Sequence, residues 1–146
     1  MIDKKNYNFA VGRRKGAVAR LRLYKDLKES LLIGEEQVKK GDVFVNDKKI
    51  DAYFNGNTVK ATYEEPFRIT NTLGKYTITV KVAGGGQMGQ VDAFIHAVSR
   101  ALSTIDEKNK QILKKKGFLT RDARVRERRK VGMGGKARRK RQSPKR

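Results

Sequence analysis

Three groups of residues have types and spacings that could carry chemistry. Gly84, Gly86 and Gly89 fit G-x-G-x-x-G, the spacing with which a backbone wraps a pyrophosphate at a helix N-terminus. His96 is the single histidine and the obvious candidate for proton transfer near neutral pH. The third group is cationic. It comprises Gly12-Arg13-Arg14-Lys15-Gly16 near the start, and Arg121, Arg124, Arg126, Arg128, Arg129, Lys130, Lys136, Arg138, Arg139, Lys140 and Arg141 after Leu119. Its chemistry is the neutralisation of phosphate.

The first two groups lack what catalysis or cofactor binding needs. A dinucleotide fold requires a second parallel strand after its helix, with an acid near the strand end. Here the helical pattern runs into the basic segment Lys108 to Lys116. The glycines therefore predict a tight strand-to-helix turn that an RNA backbone can approach, with helix N–H groups as phosphate donors. His96 sits on a helical pattern beside Ile95, which predicts a partly buried side chain or an RNA contact. The 15 acids show no paired-carboxylate spacing, no Walker lysine follows the glycines, and there is no nucleophile elbow. With no cysteine there is neither a disulfide nor a thiolate metal site. The expectation is a non-enzyme with no cofactor, metal or small-molecule substrate.

Charge points to the partner. Lysine and arginine number 36 against 15 acids, a net +21 over 146 residues, far beyond what solubility needs. Residues 114–146 hold 16 of these cations against Asp122 and Glu127, net +14, leaving +7 for the first 113. So many like charges repel unless a polyanion neutralises them, and the arginine fork suits bidentate phosphate contacts. No aromatic residue follows Phe118, so the tail has no stacking platform and is predicted to thread among backbones of structured RNA. No apolar run approaches the roughly 18 to 20 residues of a membrane span. The opening MIDKKNYNFAVGRRKG has no apolar core for a secretory signal and reads as mature from residue 1. A sequence-independent binder that compacts DNA or chaperones RNA is the rival reading.

These residues need elements to position them. Ala17 to Tyr24 alternates Leu21 and Leu23 with Arg20 and Arg22, a strand with one buried and one basic face. Val43, Val45, Ile50 and the Asn46-Asp47 pair predict a short strand and turn, leading into a helical turn over Asp51 to Phe54. Phe67 to Thr70 and Tyr76 to Val82 predict two further strands around a turn at Asn71 to Gly74. Val91, Phe94, Ile95, Val98, Ala101, Leu102 and Ile105 have helical periodicity. A second helix is predicted from the N-cap Asp106 to Lys116, stopping at Gly117. The sum is an α/β (α+β) two-layer sandwich, a mixed sheet of about four strands backed by helices over residues 1–118. A basic tail, 119–146, has too few apolar residues to fold alone.

Several stretches resemble the ribosomal protein S9 family. They are Val11-Gly12-Arg13-Arg14-Lys15, Gly84-Gly85-Gly86, His96-Ala97-Val98-Ser99-Arg100-Ala101-Leu102 and Gly117-Phe118-Leu119-Thr120-Arg121-Asp122. The last continues through Arg124, Glu127-Arg128-Arg129-Lys130 and Ala137-Arg138-Arg139 to Lys145-Arg146, so the resemblance covers nearly the whole chain. It implies the fold of the second domain of ribosomal protein S5, with a left-handed crossover. It also implies a place in the small-subunit head on 16S-type ribosomal RNA, beside neighbouring head proteins, with the tail reaching the P-site tRNA. By position, Lys145 and Arg146 are assigned to tRNA. Arg13, Arg14, Lys15, Arg20, Gly84, Gly85, Gly86, Arg100, Arg121, Arg124, Arg128, Arg129, Lys130, Lys136, Arg138, Arg139, Lys140 and Arg141 are assigned to ribosomal RNA. The sequence departs from the family pattern at Met88, Ile95 and Ser143-Pro144, and residues 25–41 form a longer link than usual. The final Lys-Arg resembles the bacterial and organellar branch, which implies a cytoplasmic ribosome first and an organelle-encoded one second.

Overall fold

The computed structural model describes residues 7–25, 32–33 and 36–131. Strands β1 (Tyr7–Arg14) and β2 (Ala17–Tyr24) form an antiparallel hairpin, and β3 (Leu32–Ile33) and β4 (Glu36–Gln37) form a second, very short one. Next along the chain come β5 (Val43–Val45), β6 (Lys48–Lys49), α1 (Ile50–Tyr53), α2 (Asn57–Ile69), β7 (Thr77–Ala83), α3 (Gln87–Ile105) and α4 (Glu107–Lys115). The main sheet is mixed, in the order β1-β2-β7-β5-β6. Its one parallel pair is β5 with β7, joined through β6, α1 and α2.

The strand pleat divides the sheet into two faces. Ala10, Ala19, Leu21, Leu23, Ile78, Val80 and Val82 point into the core. Residues between them, such as Phe9, Arg20, Arg22 and Lys81, stay exposed on the other face. Helix α3 fills the helical layer, burying Val91, Phe94, Val98 and Leu102 against β1 and β2. The Phe94 ring centroid lies 6.2 Å from both Phe54 and Tyr63, tying α1 and α2 to α3. Gly12 permits the closest approach: a Cβ there would run into the Ala93 carbonyl oxygen and the Ala97 nitrogen of α3.

One sequence expectation fails. Phe67 to Thr70, expected as a strand, is the C-terminal end of α2. Val59, Tyr63 and Phe67 recur every four residues and place Tyr63 and Phe67 in the core, so helical burial overrides the local β-propensity of the Phe-Arg-Ile-Thr run. Pro66 inside the helix removes one backbone donor and masks the pattern. Strand β1, which ends within the Gly12–Gly16 stretch expected only as a basic segment ahead of the first strand, and the two-residue β6 join the sheet in addition, so that with Phe67 to Thr70 helical the expected four strands become five. Of the long link 25–41, Leu32–Ile33 and Glu36–Gln37 pair as a hairpin, while Leu31 lies outside the described residues.

Candidate nucleic-acid interface

Two glycine-bearing turns meet at one end of the sandwich. The β1–β2 hairpin turns through Lys15, at φ +51°, and Gly16. The β7–α3 turn uses Gly84 at φ +73° and Gly85 at φ +64°, conformations that L side chains avoid. The turns touch: a Cβ on Gly84 would strike the Gly16 carbonyl oxygen, and one on Gly85 would crowd Ala17. Gly86 occupies the N-cap of α3 and offers no side-chain cap. The first N–H groups of a 19-residue helix therefore open beside exposed Gly84, Gly85 and Gly86 and beside Lys15.

A half-buried polar relay holds the β7–α3 turn in place. The Asn46 side chain pairs with the β7 backbone, receiving from Val82 N–H at 2.8 Å and donating to Val82 C=O at 2.9 Å. Asn46 also donates to the Tyr53 hydroxyl, which donates to Gln90 Oε1 at 3.0 Å. The Gln90 amide in turn donates to the Gly84 carbonyl at 3.1 Å. Sequence reasoning uses Asn46 only as a turn residue and passes over Tyr53 and Gln90 as polar groups. Nothing local in the sequence signals that they meet.

The tail leaves from the same side. Helix α4 ends in a Schellman arrangement, with Phe118 N–H to Leu113 C=O at 3.1 Å, Gly117 N–H to Lys114 C=O at 3.0 Å and Gly117 at φ +79°. Phe118 and Leu119 then pack against the core. Arg14 fixes the start of the tail beyond them. Its guanidinium pairs with Asp122 at 3.0 Å and Asp92 of α3 at 3.5 Å, and donates to the Arg124 carbonyl at 2.9 Å. Asp122 also accepts from the Arg124 backbone N–H and guanidinium, and these cations hold its carboxyl well below the usual carboxylate range. A lone acid in a basic run is the sequence signal for this anchor.

His96 lines the cleft beneath the tail exit with Arg13, Phe118 and Thr120. Its Nδ1 accepts the Arg13 N–H at 3.4 Å, so the ring serves as an acceptor in its neutral form. Burial lowers its pKa below the ordinary 6.5, and the nearby Arg100 and Arg121 charges lower it further, against a backbone hydrogen bond at Leu119. Arg100 donates to the Val11 carbonyl at 2.6 Å, tying α3 to β1.

The sequence-nominated residues thus fall into distinct places. Arg13, Lys15, Gly84, Gly85 and Gly86 converge at the two turns, with all five exposed. Arg14 is engaged within the protein and only 15% exposed at its side chain, and Arg100, although exposed, also bonds inward. Arg20 stands apart on the open sheet face. Arg121, Arg124, Arg128, Arg129 and Lys130 line an exposed segment without regular secondary structure. Lys136, Arg138, Arg139, Lys140, Arg141, Ser143-Pro144, Lys145 and Arg146 lie outside the described residues. Of the departures from the family pattern, Met88 is exposed on the first turn of α3 and Ile95 is buried. Among the described residues no three or more His, Asp or Glu side chains group as a metal site, no strand follows α3 to complete a dinucleotide fold, and no helix is long and apolar enough to cross a membrane.

A sequence model of the family described as ribosomal protein S9/S16 matches residues 12–146. The small ribosomal subunit protein uS9 of Maridesulfovibrio salexigens is 44% identical over 131 residues, covering 90% of this chain and 91% of its own. Proteins of the same name from Anaeromyxobacter and from Solidesulfovibrio magneticus are each 40% identical. The first covers 88% of both chains; the second covers 88% of this chain and 89% of its own.

Proposed function

The chain belongs to the ribosomal protein S9/S16 family and is a structural protein of the small ribosomal subunit acting in translation, not an enzyme; from that premise we propose how it binds RNA. Residues 1–118 form a body that docks on 16S-type ribosomal RNA in the subunit head, and residues 119–146 form an extended arm. The observation that carries this reading is the convergence of the exposed Gly84–Gly86 turn, the uncapped α3 N-terminus, the Arg13–Lys15 hairpin tip and the anchored tail exit on one side of the sandwich. A phosphate placed there meets backbone N–H donors, a helix dipole and two exposed cations at once.

Roles divide accordingly. Arg13, Lys15, Gly84, Gly85 and Gly86 contact phosphates of the docking RNA, and Arg20 contacts RNA from the open sheet face. Arg14 and Arg100, assigned to RNA from the sequence, act mainly by holding the tail exit and β1 in position. Arg121, Arg124, Arg128, Arg129, Lys130, Lys136, Arg138, Arg139, Lys140 and Arg141 neutralise ribosomal RNA along the arm, and Lys145 and Arg146 reach the P-site tRNA backbone. Electrostatics supply affinity while the folded body fixes register.

The test is sedimentation of the tagged chain through a sucrose gradient at high salt. Co-migration with small-subunit RNA supports the reading. A soluble or DNA-bound pool would revive the sequence-independent binder, whose complexes dissolve as salt rises. Deleting Lys145 and Arg146 should leave that co-migration intact while speeding tRNA release, each lost phosphate contact being worth about 1 kcal/mol.

A further inference from the structure

We propose that the open face of the main sheet is a stacking platform for an unpaired RNA base, with the Phe9 ring as the seat and Arg20, Arg22 and Lys81 as its phosphate contacts. The proposal rests on the reading above that the chain binds ribosomal RNA. Among the described residues helices lie against one face of the sheet, and of the other face the β1–β2–β7 part is exposed while Phe44 of β5 is buried. On the other, β1 presents Tyr7, Phe9, Val11 and Arg13, and the ladder register places Arg22 opposite Phe9, Arg20 opposite Val11 and Lys81 opposite Arg20.

The aromatic residues of this face differ in availability. Tyr7 packs at a tilt against Tyr24, with centroids 5.7 Å apart, and carries the Arg22 guanidinium 5.3 Å from its ring centroid. Phe9 is 58% exposed on a hydrogen-bonded strand, so its side chain leaves the sheet at a fixed position with much of its ring surface in water. Such a ring gains from covering apolar area, and every nucleobase offers a π-face to do so.

Charge decides between an RNA base and an apolar protein surface as the occupant. Strands β1, β2 and β7 contain no Asp or Glu, so Arg13, Arg20, Arg22 and Lys81 have no acid on these strands. An apolar protein partner would desolvate these cations without compensation, whereas a nucleotide supplies a ring for Phe9 and a phosphate for its neighbours. A duplex groove would leave the ring unused, which selects a looped-out, terminal or single-stranded nucleotide. The tail, with no aromatic residue beyond Phe118, has no comparable capacity.

The test uses full-length chains carrying Phe9→Ala, Phe9→Leu or Phe9→Tyr, incorporated into small subunits, irradiated, and mapped by mass spectrometry for peptide–nucleotide adducts. Wild type and Phe9→Tyr should carry an adduct at residue 9. Phe9→Ala and Phe9→Leu should lose it, and their affinity for purified small-subunit ribosomal RNA should fall about tenfold with an unchanged salt slope. Leucine keeps the bulk and apolarity, so its failure isolates the ring. Subunits that contain the chain but show no adduct on β1 and no affinity loss would overturn the platform while leaving RNA binding by the rest of the chain intact. Protein cross-links from Lys81 in place of RNA would do the same. Absence of the chain from the subunits would overturn both readings together.

Discussion

The open sheet face and the basic tail are both cationic, but they hold their charges by different means. On the sheet, Arg20, Arg22 and Lys81 are spaced by a hydrogen-bonded ladder whose reverse side is buried core, so the backbone positions that carry them are fixed before any partner arrives. In the tail, the Arg14–Asp122–Arg124 cluster sets where the segment departs, and Arg126, Arg128 and Lys130 beyond it are exposed. A rigid array can distinguish the position of a base. An extended cationic strand can follow only charge and shape. One chain of 146 residues thus combines a surface suited to register with one suited to affinity.

The largest effect should come from removing the tail. Ending the chain after Thr120 discards thirteen of its 36 cations. Affinity for ribosomal RNA at about 0.15 M salt should fall more than 100-fold and the salt slope should flatten, while the thermal midpoint barely moves. Fluorescence anisotropy across a salt series measures this. If neutralising Arg20, Arg22 and Lys81 flattened the slope as much, the division between the two regions would be broken.

Next is Gly12→Ala, which tests how far the sheet's geometry depends on close packing. The added Cβ meets the α3 backbone, so β1 must move away, and urea unfolding should show a loss of about 3 kcal/mol. Gly117→Ala forces a left-handed residue at the tail exit and should cost about 1 kcal/mol. Arg14→Gln should then lower RNA affinity by about tenfold or less, through one lost charge and a misdirected tail, with faster amide exchange at Arg124. An unchanged exchange rate would remove Arg14 as the anchor.

The smallest expected effect is a pH dependence. The folded pKa of His96 lies below its ordinary value, so the unfolded chain takes up the proton first. The stability from the neutral ring is therefore fully present above about pH 6.5 and is lost as pH falls toward the lowered folded value. His96→Gln should flatten the dependence of the urea midpoint over that window. A midpoint that rose on acidification would contradict the assignment.

Much of this is legible in the sequence, for identifiable reasons. Helix α3 and its partner α4 announce themselves through apolar spacing, the Asp106 cap and the Gly117 stop, all local signals. Helix α2 is hidden because Pro66 and β-branched residues obscure a period visible only once Tyr63 and Phe67 are known to share a core. At the interface, the exposed cations and the glycine turn can be named from type and spacing. The inward roles of Arg14 and Arg100 cannot, because a cation's role depends on which acid or carbonyl the fold brings to it. Asp92 and Asp122 lie 78 and 108 positions from Arg14, a distance only tertiary structure closes.

The absence of cysteine allows the central claim, that both regions face ribosomal RNA, to be tested directly. A single cysteine introduced by Thr79→Cys on the open sheet face, or by Ala123→Cys at the tail exit, can carry a tethered iron chelate into assembled small subunits. Hydroxyl radicals then cut nearby RNA. The account predicts cleavage of small-subunit ribosomal RNA from both positions, at two separate sets of nucleotides. Cleavage from residue 123 alone, with the sheet probe silent, would contradict it and leave the tail as the sole RNA-facing part of the molecule.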